Sequence, residues 1–207
     1  NSTAYKIYAF AATVHDDAST ILNNLQFFTE SFSVDGGIVS TTAASGLDVG
    51  YTEHPVAPLK GSTTYNANIG SLGQFPPSTH YIEGHGTYEA WASSQYNVSG
   101  QATREVWKLF DGSTSTYYQQ SASTGYDQYN TSSPYEYVGT RDTTTTDVGG
   151  TRYKGVFVQL KMPYAITLAH TKFNNWTDNT NRSPGAGVIL GSNDGDNWYK
   201  LTEFSGL

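Results

Sequence analysis

Apolar and polar positions alternate most cleanly in "GVFVQLKM", where Val156, Val158, Leu160 and Met162 fall on one side and Phe157, Gln159 and Lys161 on the other. A period of two marks a strand whose successive side chains point to opposite faces, and Pro163 is expected to close it. "AYKIYAFAATV" (Ala4 to Val14) mixes β-branched and aromatic residues in near alternation and predicts another strand, as does "ILNNLQFFTESFSV" (Ile21 to Val34). Later runs read the same way: "YAITLAHTKF", "AGVIL" and "WYKLTEF". No helical period lies between them, so strands following strands predict an antiparallel sandwich.

The intervening stretches punctuate this pattern. Residues 35 to 85 loosen into Gly, Ser, Thr, Pro and Asn, with "EHPVAPL" and "FPPSTH" adding prolines that forbid central-strand pairing, and are read as a linker or irregular arm. A compact unit is expected from Gly86 to Leu207, opening with "GTYEAWASSQYN". Gln119 to Gly150 is rich in Tyr, Ser and Thr and is expected to be a long loop, functional or solvated, rather than part of the core.

Composition narrows the function more than the fold. Of 207 residues only 14% are charged, beside 16 Tyr and 21 Gly, so the surface is neutral-polar and better suited to strands and turns than to helices. The net charge of -7 includes no basic run, which argues against the phosphate contacts that dominate nucleic-acid affinity. No apolar run approaches the roughly 18 residues of a membrane span, so membrane insertion is not expected. There is no cysteine, and packing alone must hold the fold. Asn1 neither is an initiator methionine nor opens a signal peptide, and the chain reads as a piece of a longer protein.

Catalytic signatures are missing from the sequence. There is no G-x-S-x-G elbow, no Walker loop and no dinucleotide fingerprint, and the 18 acids form no focused pair. The five histidines stand at no metal spacing, His80 and His85 reading as a polar loop. In "SNDGDNW", a calcium-loop reading starting at Asp194 fails, because Trp198 and Tyr199 occupy positions that need an oxygen ligand and a glycine. Asp194-Gly195 instead fits a tight hairpin turn. A binding claim rests on aromatics, since a glycan offers apolar faces and hydroxyls to flat rings, amides and guanidinium groups. Tyr117, Tyr118, Asn175, Trp176 and Arg182 are the candidate glycan-binding residues, against the alternative that Trp176 packs on the rim and the asparagines make turns. Trp107, Phe110 and Trp198 are assigned to the core. Sequons at Asn1, Asn97, Asn130, Asn175 and Asn181 are possible glycosylation acceptors.

Three ordered pieces, "WKLFDGSTSTYY", "GVFVQLKMPYAITLAHTKF" and "RSPGAGVILGSNDGDNWYKL", together resemble the discoidin-like (F5/8 type C, galactose-binding-like) domain over roughly Gly86 to Leu207. The resemblance implies an eight-stranded jelly-roll β-sandwich whose end loops bind ligands, often glycans, and which is rarely an enzyme by itself. It also implies a structural calcium ion held by the Asp111 carboxylate, the Ser113 carbonyl, Thr116 and Glu203; the alternative is an Asp-Gly turn with nothing bound. Residues 1 to 34 look like the family's closing segment, with Asn24 where Glu is usual. They are expected to finish a preceding repeat, or to supply the missing strands of this sandwich or of a neighbouring copy. The expectation is therefore a non-enzymatic, all-β attachment or structural protein of an extracellular or virion surface, partnered by copies of itself or neighbouring repeats and by cell-surface glycans. The alternative is a carbohydrate-binding module of a secreted enzyme.

Overall fold

A computed structural model of the chain describes residues 3–15, 21–32, 49–60, 78–93, 95, 104–120, 129–130, 136–139, 144–175 and 184–205. Alternation within the strands sets the architecture. In β1 (Tyr5–His15), Tyr8, Phe10 and Ala12 enter one apolar cluster while Ala9 and Ala11 enter a second on the opposite face. In β9 (Val156–Ile166), Val156, Val158, Leu160 and Met162 join the first cluster and Phe157 the second, the division their spacing predicts. A strand buried on both faces belongs in the middle of a sheet, and both are there.

Among the described residues the larger sheet contains six strands. Its remaining members are β4 (Ser78–Ile82), β5 (Gly86–Ala92), β11 (Pro184–Ser192) and β12 (Tyr199–Ser205), in the order β12-β11-β1-β9-β5-β4. A smaller sheet has β2 (Ile21–Phe32) at its centre, between β10 (His170–Asn175) and β3 (Val49–His54). The short β6 (Tyr118–Gln119) pairs with the start of β2, and β7 (Thr144–Thr146) with β8 (Arg152–Lys154) forms a separate hairpin. All these ladders are antiparallel. Leu22, Leu25 and Phe27 of β2 share the first cluster with Phe10 and Leu160, so the main core lies between the sheets in a β-sandwich-like arrangement. A 3-10 helix, Val106–Phe110, adds Val106, Leu109 and Phe110 to it. Among the described residues no helix is long and apolar enough to cross a membrane.

Asn24 explains how β2 keeps its apolar face. Its φ of 53° is a left-handed conformation that asparagine tolerates better than most residues, and the β10–β2 register shifts beside it. The resulting bulge leaves both Leu22 and Leu25 facing inward although they are three positions apart.

Several expectations need correction. Strand β9 does not close at Pro163 but runs on to Ile166. Its pairing with β1 jumps from Lys161 opposite Ile7 to Ile166 opposite Tyr5, and its ladder with β5 ends at Lys161. No ladder bond is therefore asked of the missing proline N–H. In the stretch from Gln119 to Gly150, Tyr129 is 2% exposed, and its hydroxyl donates to the Ala12 carbonyl and accepts the Val156 N–H. That loop reaches into the core. Among the described residues, the stretch 35 to 85 contributes two paired strands, β3 and β4, the latter at a sheet edge as the nearby prolines require. Of the alternatives for the N-terminal segment, β1 takes the one within its own chain: it is paired on both sides, to β9 and β11, and has no free edge to give a neighbour.

Two buried histidines make the fold sensitive to acid. His54 lies opposite Phe27 and His80 opposite Tyr88, both on inward faces and under 10% exposed. The His80 Nδ1–H donates to the Lys60 carbonyl at 2.8 Å, and its Nε2 has no partner among the described residues; His54 Nδ1 is likewise unpartnered. Burial holds both imidazoles below the ordinary value of 6.5, helped at His54 by His85 and opposed at His80 by the Lys60 carbonyl and Glu105. The unfolded chain binds protons at these residues near pH 6.5 and the folded chain does not, so stability falls as pH drops below that point. Thermal unfolding from pH 8 to 5 is expected to show a declining Tm, and the combined His54→Gln and His80→Gln substitutions to flatten the decline. A Tm unchanged across that range would contradict the burial of neutral imidazoles.

Candidate ligand-binding faces

The residues singled out in the sequence divide sharply. Tyr118 is fully buried in β6, its side chain in the main core, and cannot meet a ligand. Its neighbour Tyr117 is half-buried, with the Arg104 guanidinium 5.6 Å from its ring centre. Asn175 ends β10. Leu22 is opposite Asn175 on one side and Tyr118 on the other, so three adjacent strands place the Asn175 and Tyr118 backbone positions about 10 Å apart. Trp176 and Arg182 lie outside the described residues, as do the sequons at Asn1, Asn97 and Asn181, while Asn130 is exposed.

The calcium set does not assemble. Asp111, Ser113 and Thr116 share one loop, but the Asp111 carboxylate is engaged there already: Oδ1 accepts the Ser113 N–H at 2.8 Å and Oδ2 the Thr116 hydroxyl at 2.6 Å. Glu203 is elsewhere. It stands on β12 opposite Val188, a residue of the outer cluster, while the helix that precedes Asp111 packs into the core on the other side of the sheet. Its carboxylate accepts instead from Lys200 Nζ at 3.0 Å. Calcium needs six to eight oxygens, and these residues do not fit it.

The hairpin acids act structurally, as expected. Asp194 Oδ1 accepts the N–H groups of Asp196 and Asn197, Oδ2 accepts from Asn197 Nδ2, and Gly195 has a φ of 88°. Those donors, led by Asn197, hold the Asp194 carboxyl well below the usual carboxylate range. Asp147 does the same in the β7–β8 turn, accepting from Gly149, Thr151 and Tyr153. Its carboxyl is also lowered, chiefly by the Thr151 N–H. For both groups the stabilisation is complete above the ordinary value of 3.8 and fades as pH falls below it. A second loss of Tm, below about pH 4, is expected to diminish in Asp194→Asn.

The outer face of the larger sheet carries an arrangement the sequence reading passed over. Tyr88, Ala90 and Ala92 of β5 point inward, so Glu89 and Trp91 point outward. Register then builds two rows: Glu89, Lys161 and Ile7 across β5, β9 and β1, and beside them Trp91, Gln159 and Ala9. Ile7, Glu89, Trp91, Gln159 and Lys161 line a recess of about 270 Å³. Lys161 Nζ is 2.9 Å from Glu89 Oε1, with both side chains partly exposed. An ammonium carries three donors and a carboxylate accepts at both oxygens, so the pair retains capacity for a ligand. A half-buried indole, a planar amide and this ion pair thus converge on one recess.

No family model, curated protein or solved structure matches the chain. The signal for Trp91 was present in the alternation of "GTYEAWA", which places Glu89 and Trp91 on the face away from Tyr88.

Proposed function

We propose that this protein is a non-enzymatic attachment or structural domain of an extracellular or virion surface, a β-sandwich of discoidin-like jelly-roll type that binds glycans. The observation that carries the reading is the Trp91 recess. Sugar rings present apolar C–H faces to an aromatic ring and hydroxyls to amides and charges, and Trp91, Gln159, Glu89 and Lys161 offer those groups side by side. The discoidin-like type is supported by the order of its three sequence pieces and by the Asp194 hairpin joining β11 to β12. Assembly with further copies belongs to the same reading, through faces other than β1.

A second site is favoured by one observation, the meeting of the Tyr117 loop with Asn175 across Leu22. The resemblance points to that end of the sandwich, and the two sites separate by mutation.

The test is retention of neutral glycans on an array by the full chain. Trp91→Ala and Gln159→Ala are each expected to weaken retention, the former at least about tenfold, as for a central aromatic anchor. Gln159→Ala removes the amide while sparing the ring's packing, so a loss in both is not a folding effect. Retention unchanged in both variants but lost in Tyr117→Ala moves the site to the loop end. No retained glycan removes the glycan reading.

A further inference from the structure

Tyr81 is the most exposed of the large hydrophobic side chains described, at 72%. It stands on β4 opposite Thr87, while Thr79 stands opposite Glu89. Cross-strand partners share a face, so Tyr81, Thr79, Thr87, Glu89 and Trp91 all belong to the outer face of the larger sheet. The ring of Tyr81 is level with Thr87, four residues along β5 from Trp91. At about 3.4 Å per residue the two aromatic positions are roughly 14 Å apart. Between them the surface offers hydroxyls and the Glu89–Lys161 pair, with no large apolar side chain from β4 or β5 among the described residues.

Building on the proposed glycan reading, we infer that this face binds a linear, neutral oligosaccharide lying along β5, with Trp91 and Tyr81 as separate stacking subsites. Three physical features select that class. The separation of the rings exceeds the width of one sugar, so a single terminal residue reaches only one of them. The surface between the rings is polar, which suits a chain of hydroxylated units and not a continuous apolar ligand. Lys161, the one cation among the described residues lining the recess, is already neutralised by Glu89, and the protein carries a net charge of -7; a chain of uronic or sulfated sugars would meet uncompensated repulsion. Tyr81 gains little from its own fold at that exposure, and its ring is available to a ligand without loss of packing.

Calorimetric titration of the full chain with neutral oligomers of glucose, xylose and N-acetylglucosamine, from two to six units, tests this. Affinity for the recognised series is expected to rise with length, by about three- to tenfold between the shortest oligomer and one spanning both rings, the size of one stacking contact. Tyr81→Ala abolishes that gain, whereas Trp91→Ala weakens every length. The same oligomer carrying uronic acids binds more weakly. Equal affinity for two and six units, a length gain that survives Tyr81→Ala, or preference for the acidic chain overturns the extended site. Failure of every neutral oligomer to bind overturns the glycan reading itself.

Discussion

Phe10→Ala is expected to cost about 3–5 kcal/mol of folding stability, the range for truncating a buried aromatic. The side chain is 1% exposed and stands at the centre of β1. Its ring stacks on Phe204 of β12 at 5.3 Å and meets Phe173 of β10 edge-on at 5.1 Å. One residue thus joins the middle of the larger sheet to its edge and to the smaller sheet. Truncation opens a cavity bounded by both sheets, which cannot close without drawing them together. Since domains of this kind are stable by only about 5–15 kcal/mol, the variant is expected to unfold at much lower urea concentration. Tyr81→Ala, at an exposed position, is expected to change stability by less than about 0.5 kcal/mol. A loss below about 1 kcal/mol for Phe10→Ala would contradict the placement of β1 at the centre of the fold, because a buried Phe elsewhere loses more.

The second large effect is expected at Gly155, between β8 and β9. A Cβ added there would lie against the Ala12 carbonyl oxygen, 2.9 Å from the Ala12 carbonyl carbon and 3.3 Å from the Thr13 Cα. Every one of these atoms is backbone, so relief requires β1 and β9 to separate. The same Ala12 carbonyl accepts the Tyr129 hydroxyl at 2.7 Å, and displacing it strands a buried donor. Overpacking costs about 1–3 kcal/mol and an unmade buried hydrogen bond about 1–3 more. Gly155→Val is accordingly expected to lose roughly 3–5 kcal/mol. Gly150 is the control: its φ of 84° disfavours a side chain, but no atom stands within 4 Å of an added Cβ. Gly150→Ala is expected to cost about 1–2 kcal/mol. Equal losses at the two positions, measured by chemical unfolding, would show that the β1–β9 approach is looser than described.

Local patterning carried the strands but not their neighbours. Residues 156 to 162 announce both faces of β9, and Asp194-Gly195 announces its turn, because those signals depend only on adjacent residues. That β1 lies between β9 and β11 depends on partners far along the chain, such as Val156 opposite Ala12 and Ser192 opposite Ile7, which no local period reveals. Tyr118 and Tyr129 mislead for a related reason: each stands in a polar stretch rich in Tyr, Ser and Thr, and is buried by contacts from distant strands. His80 shows the same limit, since its burial follows from pairing with Tyr88 on β5. The outward face containing Trp91 follows from inward Tyr88 once the strand is known. Its chemistry is inconspicuous in the sequence because Glu89, Trp91, Gln159 and Lys161 come from two strands far apart in the chain and meet only through register.

The most direct measurement of the account is a two-dimensional 1H–15N NMR titration of the full chain with whichever neutral oligosaccharide the array retains. The Trp91 indole N–H, with the amide signals of Glu89, Gln159 and Lys161, is expected to shift on binding while the Tyr117 loop stays still. Shifts confined to the Tyr117 loop and Asn175, with the Trp91 indole unmoved, would contradict the sheet-face site.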